Sequence, residues 1–217
     1  MTEVRRRRTD GMATRIRVLD AVVASILEKG YYRTSSNEIA RRAGVTWGAL
    51  QHQFGSRELL LLEVLNERWH DLQHAVATAE VRGDTLEARL RGVLDVLATH
   101  YEQPAQLAAL QILLDLSRDP DVSAATKDAV AEHGERLTRA WQPLFKQALG
   151  DAAADATLVK FAFVTLRGYL TGNLVASHIA HTGDDRKVRE MLVRGVACAI
   201  RERAAERGLS LPGNTNG

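Results

Sequence analysis

The chain has 217 residues, 45% apolar and 26% charged, enough to bury one large or two small cores, and this balance excludes a disordered or fibrous chain. Its net charge of +2 hides an asymmetry: residues 1–57 carry eleven Lys or Arg against five Asp or Glu, and residues 58–217 carry eighteen against twenty-two. No apolar run reaches the roughly 18 residues of a transmembrane helix, the first residues lack the apolar stretch of a secretory signal, and one cysteine, Cys198, can form neither an internal disulfide nor a multi-cysteine metal cage. A cytoplasmic protein is expected.

Ala, Leu, Arg and Glu dominate, prolines occur only at 104, 120, 143 and 212, and runs of period two rich in Val, Ile and Thr are missing. An all-α fold is therefore expected. Residues 1–13 form a basic arm containing Arg5 to Arg8, which either enters a minor groove or merely raises non-specific affinity for a polyanion; the second reading is preferred. The first predicted helix covers 14–29, with Ile16, Leu19, Val23, Ile26 and Leu27 on one face and Gly30 as its left-handed stop.

The most specific stretch is S-S-N-E-I-A-R-R-A-G-V-T-W-G-A-L-Q-H-Q-F, residues 35–54. Ser35 and Glu38 have capping-box spacing, in which each side chain satisfies an orphan N–H at the helix start. A short helix to Ala43, a sharp turn at Gly44 and a second short helix capped by Thr46 and reaching Phe54 follow. Ile39, Ala40, Ala43, Val45 and Leu50 fall where two steeply crossed helices meet, which is helix-turn-helix spacing; the alternative is an ordinary helical hairpin. In such a motif Thr46, Trp47, Gly48 and Ala49 stand at the end of the second helix that faces base edges, and the hydroxyl and amide of Thr46 suit a phosphate oxygen. Trp47 offers one N–H donor and a flat face that suits a thymine methyl, or else it packs against Arg41 or Arg42.

Further helices are expected over 56–80, capped by Ser56, and over 84–101, 104–117, 122–149, 152–181 and 184–207, with Pro143 kinking or dividing the 122–149 segment. The tail from Gly208 to residue 217 reads as disordered.

On E-K-G-Y at 28–31, Thr34, E-I-A-R-R-A-G-V-T at 38–46, Gly48, Leu50, Phe54 and S-R-E-L-L at 56–60, the sequence resembles the TetR family of bacterial transcriptional repressors over residues 14 to about 65. Beyond that segment the likeness rests on length and helical character. The resemblance implies a three-helix DNA-binding domain over 14–57, a helical effector-binding and dimerisation domain over 58–207, and a homodimer. It implies phosphate contacts at Thr34 and Thr46, base or backbone contacts at Trp47, Gly48 and His52, and a phosphate contact at Arg57, where the family usually has lysine. Gln51 stands where the family usually has Tyr, and Gln53 where it has His or Tyr; Gln51 can still donate to phosphate but lacks the ring.

Gly168, Gly172, Ala176 and Ala180 repeat every four residues, a ridge that suits either intrachain packing or a subunit interface. The resemblance favours the interface, to which Leu192 and Val196, with Val188 and Ala199, give a compatible stripe. A twofold dimer would set two reading helices roughly 34 Å apart on a near-palindromic operator. His100, Tyr101, Gln111, Trp141, Phe163 and Arg167 interrupt or thicken apolar faces and are candidate pocket linings as well as candidate plain core or surface residues. Their mixture suggests an apolar or aromatic effector with at most one acidic group, partnered by Arg167.

His70 and His74 lie at i, i+4 without an H-E-x-x-H motif, and His178 and His181 lie three apart; solvated faces explain both pairs better than metal ligation. Cys198 sits in an apolar stripe and reads as core filler. Neither a glycine-rich phosphate loop nor a nucleophile elbow is present, so no cofactor, metal or enzymatic activity is expected. The resulting expectation is a ligand-responsive repressor released from DNA by a small molecule, with coupling through the 56–80 helix. Two other classes stand beside it: a helical interaction protein whose head does not bind DNA, and a metal-dependent enzyme.

Overall fold

The computed structural model describes residues 2–180 and 186–212, with side chains from Gly11 onward except Ala180. Among these residues the helix-forming composition gives ten α-helices, one short 3-10 turn and no strand. They are α1 (Thr2–Lys29), α2 (Ser36–Ala43), α3 (Trp47–Phe54), α4 (Arg57–Thr78), α5 (Leu86–Tyr101), α6 (Pro104–Arg118), α7 (Ala124–Ala140), α8 (Gln142–Leu149), the 3-10 turn (Gly150–Ala154), α9 (Ala156–Ala180) and α10 (Arg186–Glu206). None of the described helices is long and apolar enough to cross a membrane.

Two boundaries differ from expectation for reasons of local chemistry. The backbone is helical from Thr2, so the basic stretch expected as an arm over 1–13 is continuous with α1. The 122–149 segment is divided at Trp141, and Pro143 falls in the first turn of α8, where its missing N–H would have no intrahelical partner.

The chain forms two compact units, one of residues up to 70 with 104–135, the other of 71–103 with 136 onward. In the first unit Val18, Val22 and Ile26 of α1, Ile39 and Ala43 of α2, Leu50 and Phe54 of α3 and Leu60, Leu61 and Leu65 of α4 share one core with Ala108, Ile112 and Leu116 of α6. Arg15 of α1 pairs with Glu63 and Glu67 of α4. Glu58, in the first turn of α4, accepts from the hydroxyls of Ser123 (3.0 Å) and Thr126 (2.6 Å), and these bonds, Thr126 foremost, hold its carboxyl below the usual carboxylate range.

The turn between α2 and α3 is built from hydrogen bonds a few residues long. The Ser35 hydroxyl accepts from the Glu38 N–H (3.2 Å), the Thr46 hydroxyl accepts from the Ala49 N–H (3.1 Å), and the Val45 N–H closes on the Ala40 carbonyl (3.0 Å). Gly44 holds φ 66, ψ 34, and a Cβ there would meet nothing within 4 Å, so only its own backbone opposes a side chain. Gly44→Ala is therefore expected to destabilise the first unit by about 1–2 kcal/mol, with Gly44→Asn closer to wild type because Asn tolerates the left-handed region. Urea titration of the three proteins checks this, and an unchanged midpoint for the alanine variant would contradict it.

In the second unit α5 packs on α8, α9 and α10, burying Leu90, Leu94 and Leu97 of α5, Leu144 and Leu149 of α8, Leu166 and Leu170 of α9 and Val193, Ala197 and Ile200 of α10. Arg201 pairs with Glu87 (2.5 Å) and Arg189 with Glu102 (2.5 Å), pinning α10 to α5. The chain after α10 departs from the expected disordered tail as far as residue 212: Leu211 is buried and the Ser210 hydroxyl donates to Asp151 (3.0 Å). Residues 213–217 lie outside the described part.

Candidate nucleic-acid interface and ligand groove

Helix α3 presents Trp47, Gly48, Ala49, Gln51, His52 and Gln53 to solvent while Leu50 and Phe54 anchor it to the core. Trp47 is 53% exposed, an unusual place for an indole. Arg41 and Arg42, its alternative packing partners, turn instead to Glu38 (3.0 Å) and Glu28 (2.5 Å). Gly48 is also open: a Cβ there would meet nothing within 4 Å. At the start of the helix the exposed Thr46 caps α3, leaving the first turn's remaining N–H groups facing outward, as an anion site requires.

Two of the residues expected at phosphate are otherwise engaged. Thr34 is 1% exposed, its hydroxyl donating to the Gly30 carbonyl (2.9 Å) and lying 3.1 Å from the buried Ser25 hydroxyl, so it is a core polar pair and not a surface contact. Arg57 donates from Nε to the Thr34 carbonyl (3.1 Å) and from Nη2 to the Tyr31 carbonyl (2.9 Å), and its guanidinium lies 4.4 Å from the Tyr31 ring centroid. It ties the α1–α2 connection to the start of α4, with only its remaining N–H groups left for a phosphate.

Ser35 supplies the first half of the expected capping box, but the second half is missing. The Glu38 carboxylate accepts from Lys29 (2.7 Å) and Arg41 (3.1 Å), with Arg42 at 3.4 Å, and so joins the end of α1 to α2. The Lys29 hydrogen bond, then that of Arg41, lowers its pKa to about 2. A folded-state value below the unfolded ~4.3 means the network stabilises the protein fully above that value and loses the contribution as pH falls through about 2. Glu38→Gln is accordingly expected to be less stable than wild type by a constant amount between pH 6 and pH 8, a difference that closes toward pH 2. Denaturation midpoints of the two proteins across that range test it, and a gap that persists at the acid end counts against it.

In the second unit α8, the 3-10 turn and the first half of α9 border a groove of about 1320 Å³. Trp141, Phe145 and Phe163 form its aromatic floor, with Trp141 and Phe163 centroids 6.3 Å apart and Phe145 edge-on to Phe163 at 6.3 Å. Arg167 lies 5.1 Å from the Phe163 centroid, and Arg139, Lys146 and Lys160 complete a rim on which Asp151 is the acidic residue. Tyr101 and His100 sit behind Trp141, with centroids 6.0 and 6.3 Å from its ring. Burial raises the pKa of the Tyr101 hydroxyl, and the nearby Arg167 partly offsets this. The Trp141 side chain is fully buried, and its Nε1–H, which makes no hydrogen bond of full geometry, lies close enough to the Tyr101 hydroxyl to help offset that rise.

Of the expected linings, Trp141, Phe163 and Arg167 thus come together, and His100 and Tyr101 back them. Gln111, on α6, is not among the residues that line the groove. Phe145 and the lysines of the rim escaped the sequence reading, although Phe145 follows Trp141 by four residues, a spacing that places both on one helical face.

The outer face of α9 and α10 carries the other feature. Gly168 and Gly172 are exposed, and a Cβ on either would meet nothing within 4 Å; Ala176 and Leu192 are half-buried. Val196, expected on the same face, is buried at 2% exposure within its own unit, and Cys198, expected as core filler, is exposed. Large apolar side chains stand outward beside them: Val164 and Ile179 on α9, Val188 and Met191 on α10.

His70 and His74 are both exposed on α4, His178 bonds the Leu174 carbonyl through Nδ1 (2.8 Å), and His181 lies outside the described residues. Among the described residues no three His, Cys, Asp or Glu side chains are grouped to hold a metal ion.

Residues 18–64 match the family model described as bacterial regulatory proteins, tetR family. The HTH-type transcriptional regulator BetI of Agrobacterium fabrum is 30% identical over 79 residues, 36% of this chain and 38% of that protein, so the chain spans little more than a third of this relative's length. SrpR of Pseudomonas putida, also an HTH-type transcriptional regulator, is 25% identical over 162 residues, 74% of this chain and 73% of that one. The fold is similar to that of the TetR family transcriptional regulator PfmR of Thermus thermophilus, with a TM-score of 0.57 at 20% identity, covering 84% of this chain and 96% of that one.

Proposed function

We propose, from the match of residues 18–64 to the tetR-family model, that the chain is a TetR-family regulator and works as a homodimeric, ligand-responsive transcriptional repressor. In this reading residues 14–57 form the DNA-binding domain and 58–207 the effector-binding and dimerisation domain. The observation that carries it is the exposed face of α3, on which Trp47 and Gly48 stand open beside the capped helix start. A solvent-facing indole on an eight-residue helix is hard to account for by packing, whereas a major groove offers it thymine methyls.

Thr46, Trp47, Gly48, Gln51 and His52 are the proposed contacts, Thr46 through its hydroxyl and the N–H groups it leaves open. Thr34 is withdrawn as a contact, and Arg57 acts chiefly by holding the Tyr31 and Thr34 carbonyls. The exposed faces of α9 and α10 support pairing with a second copy. The groove beside Trp141 is the proposed effector site, a small molecule binding the DNA-incompetent arrangement more tightly and so releasing the operator. The cytoplasm is where such a protein would act.

Fluorescence anisotropy on DNA from upstream of the protein's own gene, with excess non-specific competitor, tests the DNA-binding reading. Binding that resists competitor in wild type and is lost in Trp47→Ala is expected, with log affinity falling linearly with log salt. Binding that competitor abolishes in wild type would leave only the charge of the basic head, and would favour an interaction protein over a repressor.

A further inference from the structure

We infer that the groove beside Trp141 selects an organic anion, a flat or chain-like apolar body carrying a carboxylate, and that Arg167 is the residue that receives the charge. This deepens the effector reading above and rests on it for the site's role, though not for its chemistry. Three observations converge. The floor is aromatic, with Trp141, Phe145 and Phe163 buried against one another, so it favours an apolar body over a sugar or a peptide backbone. The rim is one-sided, with Arg139, Lys146, Lys160 and Arg167 against Asp151, a potential that concentrates anions and repels cations.

The third observation fixes where the charge goes. Arg167 is half-buried with its guanidinium over the Phe163 face, so its planar fork is held at the edge of the aromatic floor rather than swinging in solvent. Behind it the buried Tyr101 hydroxyl interacts with both Arg167 and Trp141, which ties the guanidinium to the same wall. A carboxylate at the groove edge would find the Arg167 fork already oriented, the geometry in which a charge-assisted hydrogen bond is strongest. A neutral aromatic would gain the floor but leave the Arg167 charge unmatched, and a cation would face the rim. The size of the groove, above the usual range for a drug-sized ligand, admits a body longer than a single ring.

The test uses the full-length protein and three probes with one body: 2-naphthoate, the neutral 2-naphthamide and the cationic 2-naphthylmethylammonium, with decanoate as a chain-like carboxylate. Isothermal titration should show 2-naphthoate or decanoate binding at least about tenfold more tightly than the amide, the scale of a charged hydrogen bond, and the ammonium weakest. Arg167→Gln should remove that preference while leaving amide affinity nearly unchanged, and the exposed Lys160→Gln should reduce it in part; circular dichroism confirms that both variants are folded. Equal or tighter binding of the amide or ammonium, a preference that survives Arg167→Gln, or no binding of either carboxylate at millimolar concentration overturns the inference. DNA anisotropy with and without 2-naphthoate is read separately. Carboxylate preference without DNA release leaves the anion site standing and removes its effector role, whereas loss of DNA binding in wild type bears on the repressor reading alone.

Discussion

Replacing Gly48 by alanine is expected to make the protein more stable and a poorer DNA binder. In a helix interior glycine costs about 0.5–1 kcal/mol relative to alanine, because its backbone loses more freedom on folding. Gly48 lies in the first turn of α3 with open space where a Cβ would go, so the substitution gains helix stability and meets no neighbour within the protein. Any loss of DNA binding must then arise from the duplex itself. If α3 lies in a major groove with its first turn against the bases, the added methyl stands between backbone and base edges, and a misfit of this kind costs roughly 1–3 kcal/mol, about ten- to a hundredfold in affinity.

The opposite signs are what give the variant its value. A substitution that damages folding lowers both melting temperature and binding, and an innocent surface change leaves binding alone. Trp47→Ala is the companion, the residue being already 53% exposed and so having little stability to lose. Thermal unfolding and anisotropy on the same preparations decide it. Gly48→Ala that binds operator as well as wild type would place the first turn of α3 away from the bases and move the interface elsewhere on the head.

How far the sequence carried depends on the reach of the interaction in question. Ser35, Gly44 and Thr46 act on groups within five residues of themselves, and their roles in the α2–α3 turn were legible before any coordinates. Thr34 and Arg57 are different. Their positions matched a family pattern, but whether a hydroxyl faces solvent is set by Ser25 nine residues away, and whether a guanidinium is free is set by Tyr31 twenty-six residues away. Glu38 shows the same limit in part, since Lys29, nine residues away, joins the neighbouring Arg41 in taking a carboxylate that local spacing assigned to a helix cap. The inclusion of α6 in the core of the first unit rests on packing of Ala108, Ile112 and Leu116 against helices far away in the sequence. In the groove, bulk at Trp141 and Phe163 and charge at Arg167 could be read from their own side chains, whereas nothing in the side chain of Gln111 told that it would be absent from the lining.

Met191→Asp is expected to convert a dimer into monomers and thereby to weaken operator binding by about a hundredfold or more. The phase of α10 is the reason for choosing this residue. The stripe expected from sequence ran through Leu192 and Val196, but Val193, Val196, Ala197 and Ile200 point into the protomer's own core. The outward stripe is displaced around the helix and carries Val188, Met191, Gly195 and Cys198, beside the open Gly168 and Gly172 of α9. Met191 is 70% exposed, far more than a large apolar residue needs to be in a stable monomer, while the glycines let a second helix approach closely. In a twofold interface every substitution appears twice, so Met191→Asp sets two carboxylates in a face that would otherwise exclude water, each unpaired and costly to desolvate. Because the side chain is exposed in the protomer, the helical content should not change. Val196→Asp supplies the contrast: its charge enters the protomer's own core and should unfold the second unit rather than merely separate subunits. Sedimentation equilibrium at micromolar concentration, read beside circular dichroism, distinguishes the two. Loss of the dimer also removes the linkage between two half-site contacts, which is why the effect on DNA should exceed anything a single contact on α3 supplies. A Met191→Asp protein that remains dimeric would move the subunit interface off the α9–α10 face, and a wild-type protein already monomeric at that concentration would rule out the twofold reading itself.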